Sequence, residues 1–208
     1  MEEGKTKKSI LDVAKRLFER FGYDKTSMND IARHSHKAKG SLYYNFSGKA
    51  DIFKALISEE FETIKKGLAE SSNIPQAPSK DNSQIAAYLR QRMELFNNAP
   101  MIKLSLEDHF HEMKNEILTI ADEVRQTFDQ WEWQFFHDAC ILGKKYNVLT
   151  PDIQPNAFAD MLQMLLKSLE IQFFAKNKYE ESKSTYESMI TFLLNDYKTN
   201  NNLIPCEP

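Results

Sequence analysis

The chain has 208 residues, 41% hydrophobic and 27% charged, with a formal net charge of −3. This balance reads as a soluble globular protein long enough to bury a core, and the lack of a long apolar run argues against a membrane span or secretory leader. Cys140 and Cys206 are far apart and fit no zinc or redox spacing, which suits a reducing, cytoplasmic setting with Cys140 buried.

Charge is distributed unevenly along the chain. Residues 1–50 carry eleven Lys/Arg against six Asp/Glu, net +5, and the remainder is net −8. A basic end on an acidic body is what a phosphate-binding head on a soluble sensor needs, although Lys5, Lys7 and Lys8 also fit a merely solvated tail. With only six glycines and no sustained period-two alternation, the expected fold is all-α.

The first helix is expected from about Lys5 to Phe21, with Ile10, Ala14, Leu17 and Phe21 on one face and Gly22 closing it. Two short helices follow in the stretch TSMNDIARHSHKAKGSLYYNFSGK, Thr26 to Lys49. Ser27 caps the first, and Asp30 three residues on completes a capping-box spacing. Met28, Ile31 and Ala32 form its apolar face. The second runs from Lys39 to Phe46, with Leu42 and Phe46 together at i,i+4 and polar groups over most of the rest. Two helices joined by so short a turn suit a helix-turn-helix, whose second helix enters the DNA major groove. Ser47 is a candidate cap for a fourth helix. Lys49 in its first turn adds a charge to backbone N–H groups suited to phosphate.

Thr26…Asp30-Ile31-Ala32, Lys39-Gly40-Ser41-Leu42-Tyr43-Tyr44-Asn45-Phe46 and Lys49 resemble the amino-terminal domain of TetR-type (tetracycline-repressor-like) regulators. The likeness reaches back through Ala14, Leu17, Phe18, Gly22 and Tyr23, and forward to Phe53. It implies a three-helix DNA-binding head over residues 1–50 and a helical ligand-binding and dimerisation domain over 51–208. It also implies that Ser41, Tyr43, Tyr44 and Asn45 meet the groove and flanking phosphates, and that Lys39 and Gly40 begin the recognition helix. Thr26 and Ser27 offer hydroxyls and N–H groups to the DNA backbone, and Lys49 holds a phosphate. Two departures stand in the turn, where His36 and Lys37 replace the family's usual glycine and apolar residue. Histidine tolerates the positive φ such a turn needs better than most residues, and Lys37 can lay its stem on the core.

Beyond the head, helix 4 is expected to continue through Phe53, Leu56, Phe61 and Leu68, long enough to link both domains. Ser71 to Asn82 is a proline-containing loop. Helices then follow over about 83–97, 101–113, 115–146, 156–176 and 181–198. In the 156–176 helix, Met164, Leu166, Ile171 and Phe174 fall outside the main stripe, which suits a homodimer pairing through the last two helices. Tyr88, Met93, Phe96, Phe110, Phe128, Trp131 and Phe135 are candidate walls of a pocket for an apolar or planar ligand. Glu94, Glu107, Asp108, His109 and Glu170 are possible polar contacts, though charged residues on helices usually face solvent. His109 and His111, two apart, do not share a helical face, so neither a metal nor another cofactor is expected. No nucleophile motif, glycine-rich phosphate loop or carboxylate pair stands out, and an enzyme is not expected. The expected function is a sequence-specific transcriptional regulator, a repressor released from a palindromic duplex operator by a small effector. The competing reading is a ligand-binding or protein-interaction module that keeps the helix-turn-helix as scaffold.

Overall fold

A computed structural model describes residues 2–71, 83–107 and 115–196. Every regular element among them is helical. The order is α1 (Glu2–Phe21), α2 (Met28–His34), α3 (Lys39–Asn45), α4 (Lys49–Ser71), α5 (Ser83–Asn97), α6 (Pro100–Glu107), α7 (Asn115–Lys145), α8 (Pro155–Glu170) and α9 (Tyr179–Asp196). Of the expected loop over 71–82, Ser71 closes α4 and the rest lies outside the described residues, as do Asp108, His109, Phe110, His111 and the chain beyond 196. No described helix is long and apolar enough to cross a membrane.

Local chemistry sets the boundaries in the head. Gly22 follows α1 at φ +80°, and its N–H bonds the Phe18 carbonyl at 2.9 Å. Ser27 caps α2 as the spacing requires. Its Oγ accepts from the Asp30 N–H, and the Asp30 carboxylate accepts from the Ser27 N–H at 3.1 Å. The turn after α2 places His36 at φ +54°, in the left-handed region that glycine fills without cost. His36 is exposed, so its side chain contributes little to the core. His36→Gly is therefore expected to stabilise the fold by about 0.5–1 kcal/mol, the relief of left-handed strain less the added chain entropy. Calorimetry should then show Tm higher by about 1–4 °C.

Helix α4 begins one residue later than a Ser47 cap implies. The Gly48 carbonyl accepts from the Ile52 N–H, while Ser47 turns its own N–H to the Asp51 carboxylate at 3.0 Å. One continuous core then runs from Ile10 to Leu194. Along α4 the contacts change hands. Phe53 packs against Phe18 and Tyr23 of the head, and Phe61 packs against Phe96 and Phe128 of the body.

Near the end of α8 the chain departs from a plain α-helix. Ile171–Ala175 form a single π-helical turn. That wider turn buries Phe173 and Phe174 together, and both rings pack on Tyr179. The stripe that α8 buries is Phe158, Ala159, Leu162, Leu166 and Glu170. Leu166 and Phe174 are thus intrachain core, which corrects their expected place outside the main stripe. Met164 and Ile171 remain exposed, as does Phe192 on α9.

Candidate nucleic-acid interface

Helix α3 is anchored by its apolar side. Leu42 and Phe46 are buried, and the Lys7 ammonium lies 5.4 Å from the Phe46 ring. The opposite side faces water. Tyr43 is 53% exposed and Tyr44 77%, and Lys39 and Gly40 are exposed at the start of the helix. A Cβ added at Gly40 would meet nothing within 4 Å, so the chain itself does not require glycine there. Ser41 is half-buried, and its carbonyl accepts from the Asn45 side-chain amide at 2.7 Å. Seven residues therefore present two large amphipathic rings and several polar groups on a rigidly seated helix.

Around α3, three of the sequence-predicted residues play a second, internal part. Ser27 is exposed, but its Oγ donates to Asp30 at 2.5 Å within the cap. That hydrogen bond, more than the neighbouring Arg33, holds the Asp30 carboxyl below its usual value. Thr26 is buried, and its hydroxyl donates inward to the Gly22 carbonyl at 2.8 Å. Lys49 donates to the Tyr23 carbonyl at 2.8 Å and lies 4.1 Å from that residue's ring centre. The Tyr23 hydroxyl in turn donates to Glu116 at the start of α7, 2.9 Å away. Burial and that carboxylate keep the phenol neutral, its pKa raised well above the ordinary value. Thr26 and Lys49 thus help to fix how α2 and α4 meet.

A second polar junction ties the head to the body. Glu60 of α4 is buried, and one oxygen accepts from the N–H groups of Met101 and Ile102 at the start of α6. The other oxygen lies 2.9 Å from the Lys15 ammonium of α1. Acceptors are favoured at a helix N-terminus, where the first N–H groups have no partner within the helix.

In the body, the predicted ring residues come together as one packed group. Tyr88 stacks on Phe135 at 4.3 Å, Phe135 meets Trp131 at 5.9 Å, Trp131 meets Phe128 at 5.7 Å, and Phe128 meets Phe96 at 5.7 Å. Tyr88, Met93, Phe96 and Phe128 are fully or almost fully buried, whereas Trp131 and Phe135 are partly so. Beside them lies a charged network that the sequence reading missed. Arg92 and Glu132 are entirely buried and pair with each other through two bonds. Arg92 also donates to Glu170 at 2.6 Å, and Arg125 donates to both oxygens of Glu170 at 2.6 and 2.9 Å. The Tyr88 hydroxyl completes the set by donating to Glu132 at 2.8 Å. Burial alone would push the Glu170 carboxyl up. The guanidiniums of Arg125 and Arg92 outweigh burial and hold it below its usual range. A signal for these residues existed, since Arg92 sits in phase with Leu89, Met93 and Phe96, and Glu132 with Phe128 and Phe136. Among the described residues, no group of three or more His, Cys, Asp or Glu could hold a metal.

With the head's geometry in place, comparison with known proteins is informative. Residues 10–56 match the family described as bacterial regulatory proteins, tetR family. Residues 10–56 thus form a TetR-type amino-terminal domain. Among the chain's relatives is the HTH-type transcriptional regulator AcrR of Shigella flexneri, 27% identical over 92% of this chain and 89% of that protein. Another is IcaR of Staphylococcus aureus, named a negative transcriptional regulator of the biofilm operon icaADBC. It is 24% identical over 91% of this chain and 97% of its own length. The solved SmeT–triclosan complex shares the fold, with a TM-score of 0.68 at 15% identity, covering 98% of each chain. The matched head, with transcriptional regulators as relatives along most of the chain, supports a DNA-binding regulator rather than an enzyme.

Proposed function

We propose that this regulator is a homodimeric repressor, released from a palindromic duplex operator by a small, largely apolar effector. The observation that carries the reading is α3, seated on Leu42 and Phe46 while Tyr43 and Tyr44 stand clear of the fold. Residues 1–50 form the reading head and 51–208 the sensing and pairing body. Ser41, Tyr43, Tyr44 and Asn45 address the groove and its edges, Lys39 and Gly40 bring the helix start close, and Ser27 and Lys49 border the phosphate backbone, whereas Thr26, expected to offer its hydroxyl there, is buried and turns it inward to Gly22. Such backbone contacts position the head, while groove contacts specify sequence.

Pairing is supported by Met164 on α8 and Ile171 at the start of the π-helical turn that follows it, both exposed. In the dimer the two α3 helices should lie about 34 Å apart to reach successive major grooves. The effector reading is supported by the ring cluster, in which Tyr88, Met93, Phe96, Phe128, Trp131 and Phe135 gather, with Phe110 assigned from the sequence pattern alone. The negative regulator IcaR and triclosan-bound SmeT give the same direction. Helix α4 supplies the mechanical route, because it carries Phe53 into the head and Phe61 into the body.

Selection of random duplex DNA by the purified chain, with Tyr43→Ala in parallel, tests the proposal. Recovery of a palindrome by the native chain alone supports it. Failure of both to enrich a sequence at low salt would leave the head as scaffold. Lys49→Ala adds a sharper measurement, since its ammonium must share Tyr23 with a phosphate. It should weaken binding to every sequence and flatten the log–log salt slope by roughly two per dimer. An unchanged slope removes Lys49 from the phosphate contacts.

A further inference from the structure

Tyr23 is held from both ends. It sits in the corner between α1 and α2, and its ring is buried against Phe18 and Phe53, with ring centres 5.5 and 5.4 Å away. Lys49, the first residue of α4, touches it twice, at the main-chain carbonyl (2.8 Å) and at the ring centre (4.1 Å). At the far end the hydroxyl donates to Glu116, in the first turn of α7, at 2.9 Å. Burial and that carboxylate raise the phenol's pKa, so the hydroxyl stays a donor. Close packing leaves the ring little room to turn, so its carbonyl and hydroxyl shift together. Tyr23 therefore connects a residue assigned to DNA phosphate with the start of α7, by a route that does not run along α4. A nearby tie between α4 and α7, Lys54 to Glu123 at 2.8 Å, is exposed on both sides and contributes little.

We propose that Lys49, Tyr23 and Glu116 form a latch that couples phosphate contact in the head to the position of α7. A phosphate oxygen is a charged acceptor and outcompetes a neutral carbonyl for an ammonium. As Lys49 turns to the phosphate, Tyr23 loses the cation from both its carbonyl and its ring face. The residue then relaxes, and its hydroxyl shifts against Glu116. Glu116 opens the helix that carries Phe128, Trp131 and Phe135, which the effector reading places in the sensing cluster. Coupling of this kind is reciprocal. Displacement of the start of α7 therefore draws on Tyr23 and changes how freely Lys49 reaches DNA. The inference rests on the reading that Lys49 holds a phosphate, and it gives Tyr23 and Glu116 a regulatory part in that contact.

A double-mutant cycle on DNA affinity tests it, read by fluorescence anisotropy of the selected duplex at fixed salt. Tyr23→Phe removes the hydroxyl alone and keeps the packed ring. Glu116→Ala breaks the same bond from an exposed residue, which keeps the test open should the core variant fold poorly. Each should tighten binding by about fivefold or more, the low end of measured couplings, because Tyr23 then yields to the departure of Lys49 at less cost. Combined, they should gain no more than either alone. In a Lys49→Ala background the gain should vanish, whereas an effect on general folding would persist there. Hydrogen exchange over residues 117–124 should change on DNA binding in the native chain and not in Tyr23→Phe. Effects additive with Lys49→Ala, unchanged or weakened affinity in both single variants, or an equal exchange response in Tyr23→Phe would each overturn the latch. If Lys49→Ala flattens the salt slope yet the cycle is additive, the phosphate reading stands and this inference falls. If the slope is unchanged, both fall.

Discussion

Replacing Glu170 with alanine should lower the stability of the fold by about 3–5 kcal/mol, the usual consequence of removing one partner from a buried ion pair. Both oxygens of this carboxylate are engaged by Arg125, and one is also engaged by Arg92. With the carboxylate gone, Arg92 keeps Glu132 but has one more uncompensated N–H at a fully buried position. For a chain of this size the expected fall in Tm is about 6–20 °C. The informative control removes Arg92 together with both of its carboxylates, with methionine at 92, 132 and 170, and leaves Arg125 to Asp129. It should be far less damaging than the single change, because the desolvation penalty disappears along with the attraction. Acid titration checks the same group by another route. Its folded pKa lies below the ordinary glutamate value, so the stability it confers is complete above the ordinary value and is lost as pH falls through the lowered one. Glu170→Gln should remove that part of the acid limb. An unaltered acid limb in Glu170→Gln would show that other carboxylates govern it.

The second large effect concerns DNA. Tyr44 is 77% exposed and is not part of the core, so Tyr44→Ala should leave Tm unchanged within the range of ordinary surface substitutions, about 0.5 kcal/mol. If the ring and hydroxyl meet the operator in both halves of a dimer, two lost contacts weaken binding by about 2–3 kcal/mol, or about 30- to 150-fold. Fluorescence anisotropy with the selected duplex at fixed salt measures this. Equal affinity of variant and native chain would place Tyr44 outside the interface. The contrast with Glu170 is diagnostic, because one substitution acts on the fold alone and the other on recognition alone.

The head was legible in the sequence because its determinants are local. Ser27 and Asp30 form their capping box with each other, Gly22 closes α1, and His36 takes the positive φ that its place in the turn demands. Helix α5 likewise begins and ends where its apolar period and the Asn-Asn-Ala-Pro break require. What escaped the reading is non-local. Arg92 and Glu132 fall in phase with apolar residues, but the partners that make burial of Arg92, Arg125 and Glu132 tolerable come from helices 40 or more residues away. The inward turn of Lys49 onto Tyr23 depends on the α1–α2 corner meeting the start of α4, which no spacing within either helix specifies. The π-helical turn at 171–175 escaped for a related reason, since an apolar run there is equally compatible with an ordinary helix.

Glu60 bears on how regulators of this kind are rebuilt. A chimera that grafts residues 1–50 onto another body cuts α4 upstream of position 60, so Lys15 would arrive facing whatever residue the recipient has there. The start of α6 is held by that same carboxylate. The exchangeable module is therefore longer than the reading head: a transplant keeping this joint must carry α1 through Glu60 and bring the 100–102 turn with it.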